Sequence, residues 1–508
     1  MLFNSALFLL LFFPLVTILY YVVPQPARWR VLLVASCYFY AVGIPAYLLV
    51  LAAIIAIDYT AGLTIERSTG RRRTAVLVIS LASNVLLLGV FKYADFLAGN
   101  LTTLAGLLGW NYSLATLGWL LPIGLSFHTF QSMAYTIEVY KGAQPAERHF
   151  GYFALYVLFY PQLVAGPIER PQHLLPQLHR PPLLSARGLR GGLAGLSEPC
   201  IFTGLQLMLL GLFKKMVIAD RLALAVDPVY SHPHLYPATA LLIATAFFAI
   251  QIYCDFSGYT HIARGAALTM GVDLSHNFMA PYGAHSVGEF WRRWHISLSS
   301  WFRDYVYVPL GGNRVSHATW VRNVLITFFL SGLWHGADWT FITWGLVHAC
   351  YLIVSRGTVG IRATLVSALH LDALPRLHAA MQALIVLALV TFAWIFFRAE
   401  SMADAWFIVR TIPAAGPELL RLLREGAPDG VMVRLGVAGL PIAKNEWALM
   451  FMLAIAVVAF DQRRWRQPLV LQLSSYPRWA HAAAAYALIF GVLFFGVYRT
   501  ATFIYFQF

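Results

Sequence analysis

Two histidines in unusual surroundings are the side chains best placed to do chemistry. His335 stands in Phe328-Phe329-Leu330-Ser331-Gly332-Leu333-Trp334-His335-Gly336-Ala337-Asp338-Trp339, a titratable ring between two tryptophans in an apolar run. An imidazole is costly there, and ionisable groups inside membrane segments usually face a cavity or a partner and mark a substrate path. Burial would lower its pKa and keep it neutral, the form that takes a proton from a hydroxyl or thiol, as acyl transfer requires. An interfacial imidazole bonded to a carbonyl or to Asp338 is the structural alternative. Gly332 and Gly336 leave bare backbone beside His335, suited either to close approach of a substrate chain or to packing of one helix on another.

His295 is the second candidate, in Glu289-Phe290-Trp291-Arg292-Arg293-Trp294-His295-Ile296-Ser297-Leu298-Ser299. Trp291, Trp294, Leu298, Trp301, Phe302 and Tyr305 recur at spacings of three, four and seven, which predicts one amphipathic helix with Arg292, Arg293, Arg303 and Asp304 off the apolar stripe. Such a helix suits the membrane interface or the roof of a cavity. His295 follows Trp291 by four residues, on the same side of that helix.

The elements that must hold these residues are membrane helices. Only 11% of the 508 residues are charged and 59% are hydrophobic, against about 25% and 45–50% in soluble proteins. Uncharged runs long enough to span hydrocarbon fall near 4–23, 31–57, 74–91, 115–137, 151–168, 200–219, 238–256, 320–336, 338–355, 379–397, 446–460 and 482–500, predicting about 11 or 12 crossings. Pro and Gly breaks in 151–168 and 320–355 make half-helices or re-entrant segments the alternative there. The first segment has neither a basic start nor a small-residue cleavage site, and reads as a retained helix. The expected fold class is an all-α polytopic membrane protein with re-entrant and interfacial helices. It forms a single membrane domain over 1–508: N-terminal helices to 120, a catalytic core over 121–400, and a polar loop with C-terminal helices over 401–508.

The formal charge of +14 is carried in short connections: Arg28 and Arg30; Arg67 and Arg71 to Arg73; Arg170, Arg180, Arg187 and Arg190; Arg463, Arg464 and Arg466. These suit cytoplasmic loops facing anionic lipid. Nucleic-acid binding would need one coherent basic face with aromatic platforms, which these interrupted clusters do not form. Cys37, Cys200, Cys254 and Cys350 form no close pair, so neither a disulfide framework nor a metal site is expected.

Eight ordered stretches then point to a family: LPIGLSFHTFQSMAYTIEVYKG (121–142), FYPQLVAGPIERP (159–171), DFSGYTHIARG (255–265), NFMAPY (277–282), EFWRRWHISLSSWFRDYVYVPLGGNR (289–314), LSGLWHGADWTFITWGLVHA (330–349), FAWIFFRAES (392–401) and FIYFQF (503–508). On these the chain resembles the membrane-bound O-acyltransferase family, in its bacterial alginate O-acetylation branch. The resemblance implies helices around a central funnel, with His335 as the family's reactive histidine near mid-membrane and His295 as its second active-site polar residue. One departure is His261, in DFSGYTHIA, where related sequences carry an acidic side chain; it bears on fine specificity. Asp255, Ser257 and Tyr259 are retained, either facing substrate or packing within the bundle.

The resemblance further implies acetyl-CoA as a cytoplasmic donor substrate, with no tightly bound cofactor, and residence in the bacterial inner membrane. His335 would act as general base and His295 would orient or polarise the thioester carbonyl. Arg292 and Arg293 would meet CoA phosphates or lipid headgroups, and Trp294, Trp334 and Asp338 complete the expected substrate-facing set. Related systems pair such a protein with a periplasmic esterase-like acetyltransferase that modifies an exported polysaccharide. The competing expectations are D-alanyl transfer to teichoic acid and a transporter whose intramembrane histidine relays protons.

Overall fold

The computed structural model describes residues 1–119, 122, 124–163, 166–180, 197–424, 442–464 and 477–498. Arg187, Arg190, Arg466 and the FIYFQF stretch lie outside them, as do parts of the 121–142 and 159–171 motifs. Among the described residues every regular element is helical. The contact pattern divides into two compact units, residues 1–212 with 259–276 and residues 213–258 with 277–508.

The first unit contains α1 (Phe13–Val22), α2 (Arg28–Ala41), α3 (Tyr47–Arg67), α4 (Gly70–Leu88), α5 (Ala94–Leu107), α6 (Leu125–Lys141), α7 (Phe150–Leu158), α8 (Pro171–His179) and α9 (Ser197–Leu212). The single crossing expected over 31–57 is two helices, because Gly43 and Pro45 interrupt it between α2 and α3; proline disfavours helix in the residue before it. The 74–91 run is longer than expected, continuing from α4 through a π-turn at Gly89–Tyr93 into α5. Buried polar groups tie α3, α4 and α6 together. Ser80 Oγ donates to Asp58 Oδ1 at 2.6 Å and Asn84 Nδ2 to Asp58 Oδ2 at 2.9 Å, satisfying a carboxyl that lipid could not.

The second unit begins with a π-helical segment, Phe213–Ala219, leading into α10 (Asp220–Ser231). It continues with the first two-thirds of α11 (Ala238–Thr269), then α12 (Val287–Arg293), α13 (Ile296–Phe302), α14 (His317–His335), α15 (Trp339–Gly357), α16 (Val359–Ala368), α17 (Pro375–Arg398), α18 (Met402–Thr411), α19 (Ala415–Arg424), α20 (Lys444–Arg464) and α21 (Arg478–Phe495). Among the described residues, five helices are by themselves long and apolar enough to cross a membrane, and α15 with α16, bent by 63°, makes a sixth if taken as one span. Among the described residues, the other runs that hydropathy marks do not by themselves form helices both long and apolar enough to cross. The chain is an all-α polytopic membrane protein.

Glycine sets the closest approach in the second unit. A Cβ added to Gly332 on α14 would strike the Phe341 carbonyl oxygen and lie 3.1 Å from Ile342 Cα, and one on Gly345 of α15 would strike the Phe328 carbonyl oxygen. Of the two uses open to the glycines beside His335, helix packing is therefore the one observed. Gly336 likewise meets the Phe341 ring.

Candidate functional site

His335 is the last residue of α14, and the chain turns away at Gly336 into extended backbone. Its ring is 5% exposed and meets three aromatic faces nearly edge-on: Trp334 at 4.9 Å, Trp344 on α15 at 4.9 Å and Phe397 on α17 at 5.3 Å between centroids. Edge-to-face contacts of this kind fix ring orientation and add to the stabilisation from burial. Trp344 stacks on Trp394, one turn from Phe397, at 5.7 Å.

The segment carrying His295 differs from the expected amphipathic helix. It breaks at Trp294–His295 into α12 and α13, so the stripe from Trp291 to Tyr305 is not one helical face. His295 sits between the helices with φ 42° and ψ 55°, in the left-handed region. For a residue with a Cβ this is a strained conformation that persists only when its surroundings over-determine it. Those surroundings are the NFMAPY segment. Met279 N donates to Arg293 O at 3.0 Å, Ile296 N to Asn277 O at 3.0 Å, and Ser297 Oγ to Asn277 Oδ1 at 2.6 Å. The break exists because this clamp outweighs the helical spacing of the apolar residues.

His295 is fully buried, and burial holds its imidazole far below the usual histidine range, at about 3. Its ring lies edge-on to Phe256 at 4.7 Å and 6.2 Å from Trp334. Trp334 thus touches both histidines, bringing residues 40 positions apart into one aromatic cluster. Trp294 joins it through Trp394, at 5.1 Å.

The remaining expected residues occupy varied places. Asp255, 3% exposed, is held by Lys215, whose ammonium lies 2.8 Å from both Asp255 Oδ1 and Asp220 Oδ1. The neighbouring Lys214 donates to Ser257 Oγ at 3.1 Å and covers the Tyr253 ring at 4.9 Å. Tyr259 belongs to the first unit and stacks on Phe3 at 4.7 Å. Asp338 caps α15, accepting from Thr340 N at 2.8 Å. Arg293 is buried, bound to the Glu289 carboxylate and donating to Ala280 O at 3.2 Å. Arg292 is exposed and, with Arg303, Ser299, Ser300, Tyr307 and Ser331, lines a cavity of about 470 Å3 walled by Trp291, Phe328 and Leu352.

Sequence reasoning passed over Lys215, Lys214, Asn277 and His348. Two adjacent lysines inside the apolar 200–219 run were a readable signal. His348 accepts from Trp291 Nε1 at 3.3 Å and packs on Trp344 at 5.2 Å; its place in the cluster depends on a helix pairing that spacing does not reveal.

Comparison with known proteins places this geometry in context. The sequence model for the membrane-bound O-acyltransferase family matches residues 143–402. A protein of Pseudomonas aeruginosa named "Probable alginate O-acetylase" is 37% identical over 436 residues, 85% of this chain and 79% of that one. A protein of the same name from Azotobacter vinelandii is 39% identical over 80% of this chain and 77% of its own. The "Peptidoglycan O-acetyltransferase" of Helicobacter pylori is 33% identical, with 84% and 82% covered.

Proposed function

The chain belongs to the membrane-bound O-acyltransferase family, and on that premise we propose that it transfers acetyl from cytoplasmic acetyl-CoA across a bacterial inner membrane, for O-acetylation of an exported polysaccharide of the alginate type. The observation that carries this reading is the meeting of His335 and His295 around Trp334 in a buried aromatic cluster. Relatives named for O-acetylation of two different polysaccharides support acetyl as the group moved.

In this reaction, neutral His335 takes the proton of an acceptor hydroxyl as its oxygen attacks the thioester carbonyl. His295, kept neutral by burial, donates its ring N–H to the carbonyl oxygen as negative charge develops there. The C–S bond then breaks, and the proton passes from His335 to the departing thiolate. Tryptophan and phenylalanine walls exclude water, which would otherwise hydrolyse the thioester. Arg292 and Arg303 at the cavity supply cationic contacts for the donor's phosphates. A periplasmic esterase-like acetyltransferase receives the group and completes transfer to the polymer.

His335→Ala tests this reading in cells fed labelled acetate or labelled D-alanine. Loss of a general base lowers rate by about 10²–10⁴-fold, so polymer acetylation should vanish while the chain inserts normally. Wild-type acetylation in that variant removes His335 from catalysis and leaves a transporter or scaffold. D-alanine incorporation without acetate moves the function to teichoic acid D-alanylation.

A further inference from the structure

We infer that Lys215, with Asp220 and Asp255, is a positioning device for the reaction: a buried ionic lock that fixes the stretch of α11 against which His295 is held. The inference rests on the acyl-transfer reading above. All three side chains are at most 4% exposed, on two candidate membrane spans. Ionisable groups in such places are expensive to desolvate and mark function more often than stability.

The grip is double. Lys215 holds Asp255 while its chain neighbour Lys214 covers Tyr253 and donates to Ser257. The two ammoniums thus fix successive positions across one turn of α11. They arise from a π-helical segment, a distortion found often at functional sites because it re-aims side chains. Within that turn the aromatic residues face the histidine segment. Phe256 lies edge-on to His295 at 4.7 Å and to Phe278 at 5.0 Å, while Tyr253 meets Trp294 at 6.1 Å.

The left-handed backbone at His295 requires rigid support. The Asn277 clamp secures the backbone on either side of it, while the ring lies against Phe256 and Trp334, and Phe256 belongs to the turn that the lysines grip. The role of the lock is geometric: Lys215 acts through Phe256 on His295 and does not touch substrate.

The test uses the full-length chain. Asp255→Asn removes one arm of the lock at constant shape, and Lys215→Met/Asp220→Leu/Asp255→Leu replaces the whole cluster with apolar side chains. Replacements of that kind usually leave folding intact or improve it. Arg221→Gln, which breaks the ion pair with Glu446 in the same unit, is the structural control. Two signals are read: labelled acetate incorporated into polymer at matched chain levels, and the ring resonance of His295 in chain carrying 15N-histidine, assigned with His295→Gln. Both lock variants should shift the His295 resonance and lower acetylation by about tenfold or more, as sub-ångström misplacement of a reacting group does. Arg221→Gln should change neither. An unmoved resonance overturns the lock; a moved resonance with wild-type acetylation overturns its role in the reaction. If Asp255→Asn fails to insert, the apolar triple variant alone decides, since a purely structural cluster would leave it fully active. His335→Ala keeps the two ideas apart: acetylation surviving there sinks the functional reading, while the resonance shift still judges the lock.

Discussion

Adding one methyl group at Gly332 should separate the helices that frame His335. Gly332 lies three residues before His335 on α14, where its Cα faces the backbone of α15. The new Cβ would collide with the Phe341 carbonyl oxygen and sit 3.1 Å from Ile342 Cα, against an ordinary carbon–carbon separation of about 3.5–4.0 Å. Backbone cannot swing aside as a side chain can, so α14 and α15 must part by roughly half an ångström to one ångström. His335 rides on α14 and Trp344 on α15, so their 4.9 Å contact opens by a similar amount. Overpacking of this kind costs about 1–3 kcal/mol of stability, and if His335 is the general base proposed above, its displacement by that distance costs about 10–100-fold in rate. The assay is acetate incorporation per inserted chain for Gly332→Ala, with thermal unfolding of the purified protein alongside. Gly360→Ala is the control, since nothing lies within 4 Å of a Cβ placed there in α16 and glycine-to-alanine exchange within a helix is stabilising by roughly 0.5–1 kcal/mol. Wild-type transfer and stability in Gly332→Ala would refute the argument that this glycine contact sets the position of His335.

Burial holds His295 at about 3 and, aided by the Arg264 guanidinium, His276 at about 4, below the unfolded histidine value of about 6.5. Both are neutral in the folded chain where the unfolded chain binds protons, so stability should be full above about pH 6.5 and fall as pH drops toward 4; unfolding midpoints measured across this range should fall less steeply in His295→Gln and His276→Gln. Asp338 acts here as a helix cap, and asparagine caps as well as aspartate. Asp338→Asn should therefore keep acetylation within about twofold, whereas Asp338→Ala should lose about 1 kcal/mol of stability, both read by the same incorporation and unfolding measurements.

Hydropathy located the helices α9, α11 and α17, because burial in lipid demands long apolar runs that are visible residue by residue. It failed where one residue type redirects the chain. Pro45 splits a run into α2 and α3, and the Asn277 clamp breaks an apparently regular stripe at His295. The stripe had the right spacing for one helix, but spacing measures only local preference, and hydrogen bonds from a segment 18 residues earlier outweighed it.

The sequence by itself determined that this chain lives in a membrane, that its family is the O-acyltransferases, and that His335 and His295 are exceptional. Those conclusions rest on composition and on contiguous motifs, which need no folding to be read. Only the tertiary structure decided that Trp334 joins the two histidines, that Gly332 serves helix packing, that Asp338 is spent on a helix cap, and that Asp255 is taken by Lys215. Each of these depends on which side chains meet across separate helices. Such meetings are set by packing and by the cost of leaving buried charge unpaired, neither of which is written in the local order of residues.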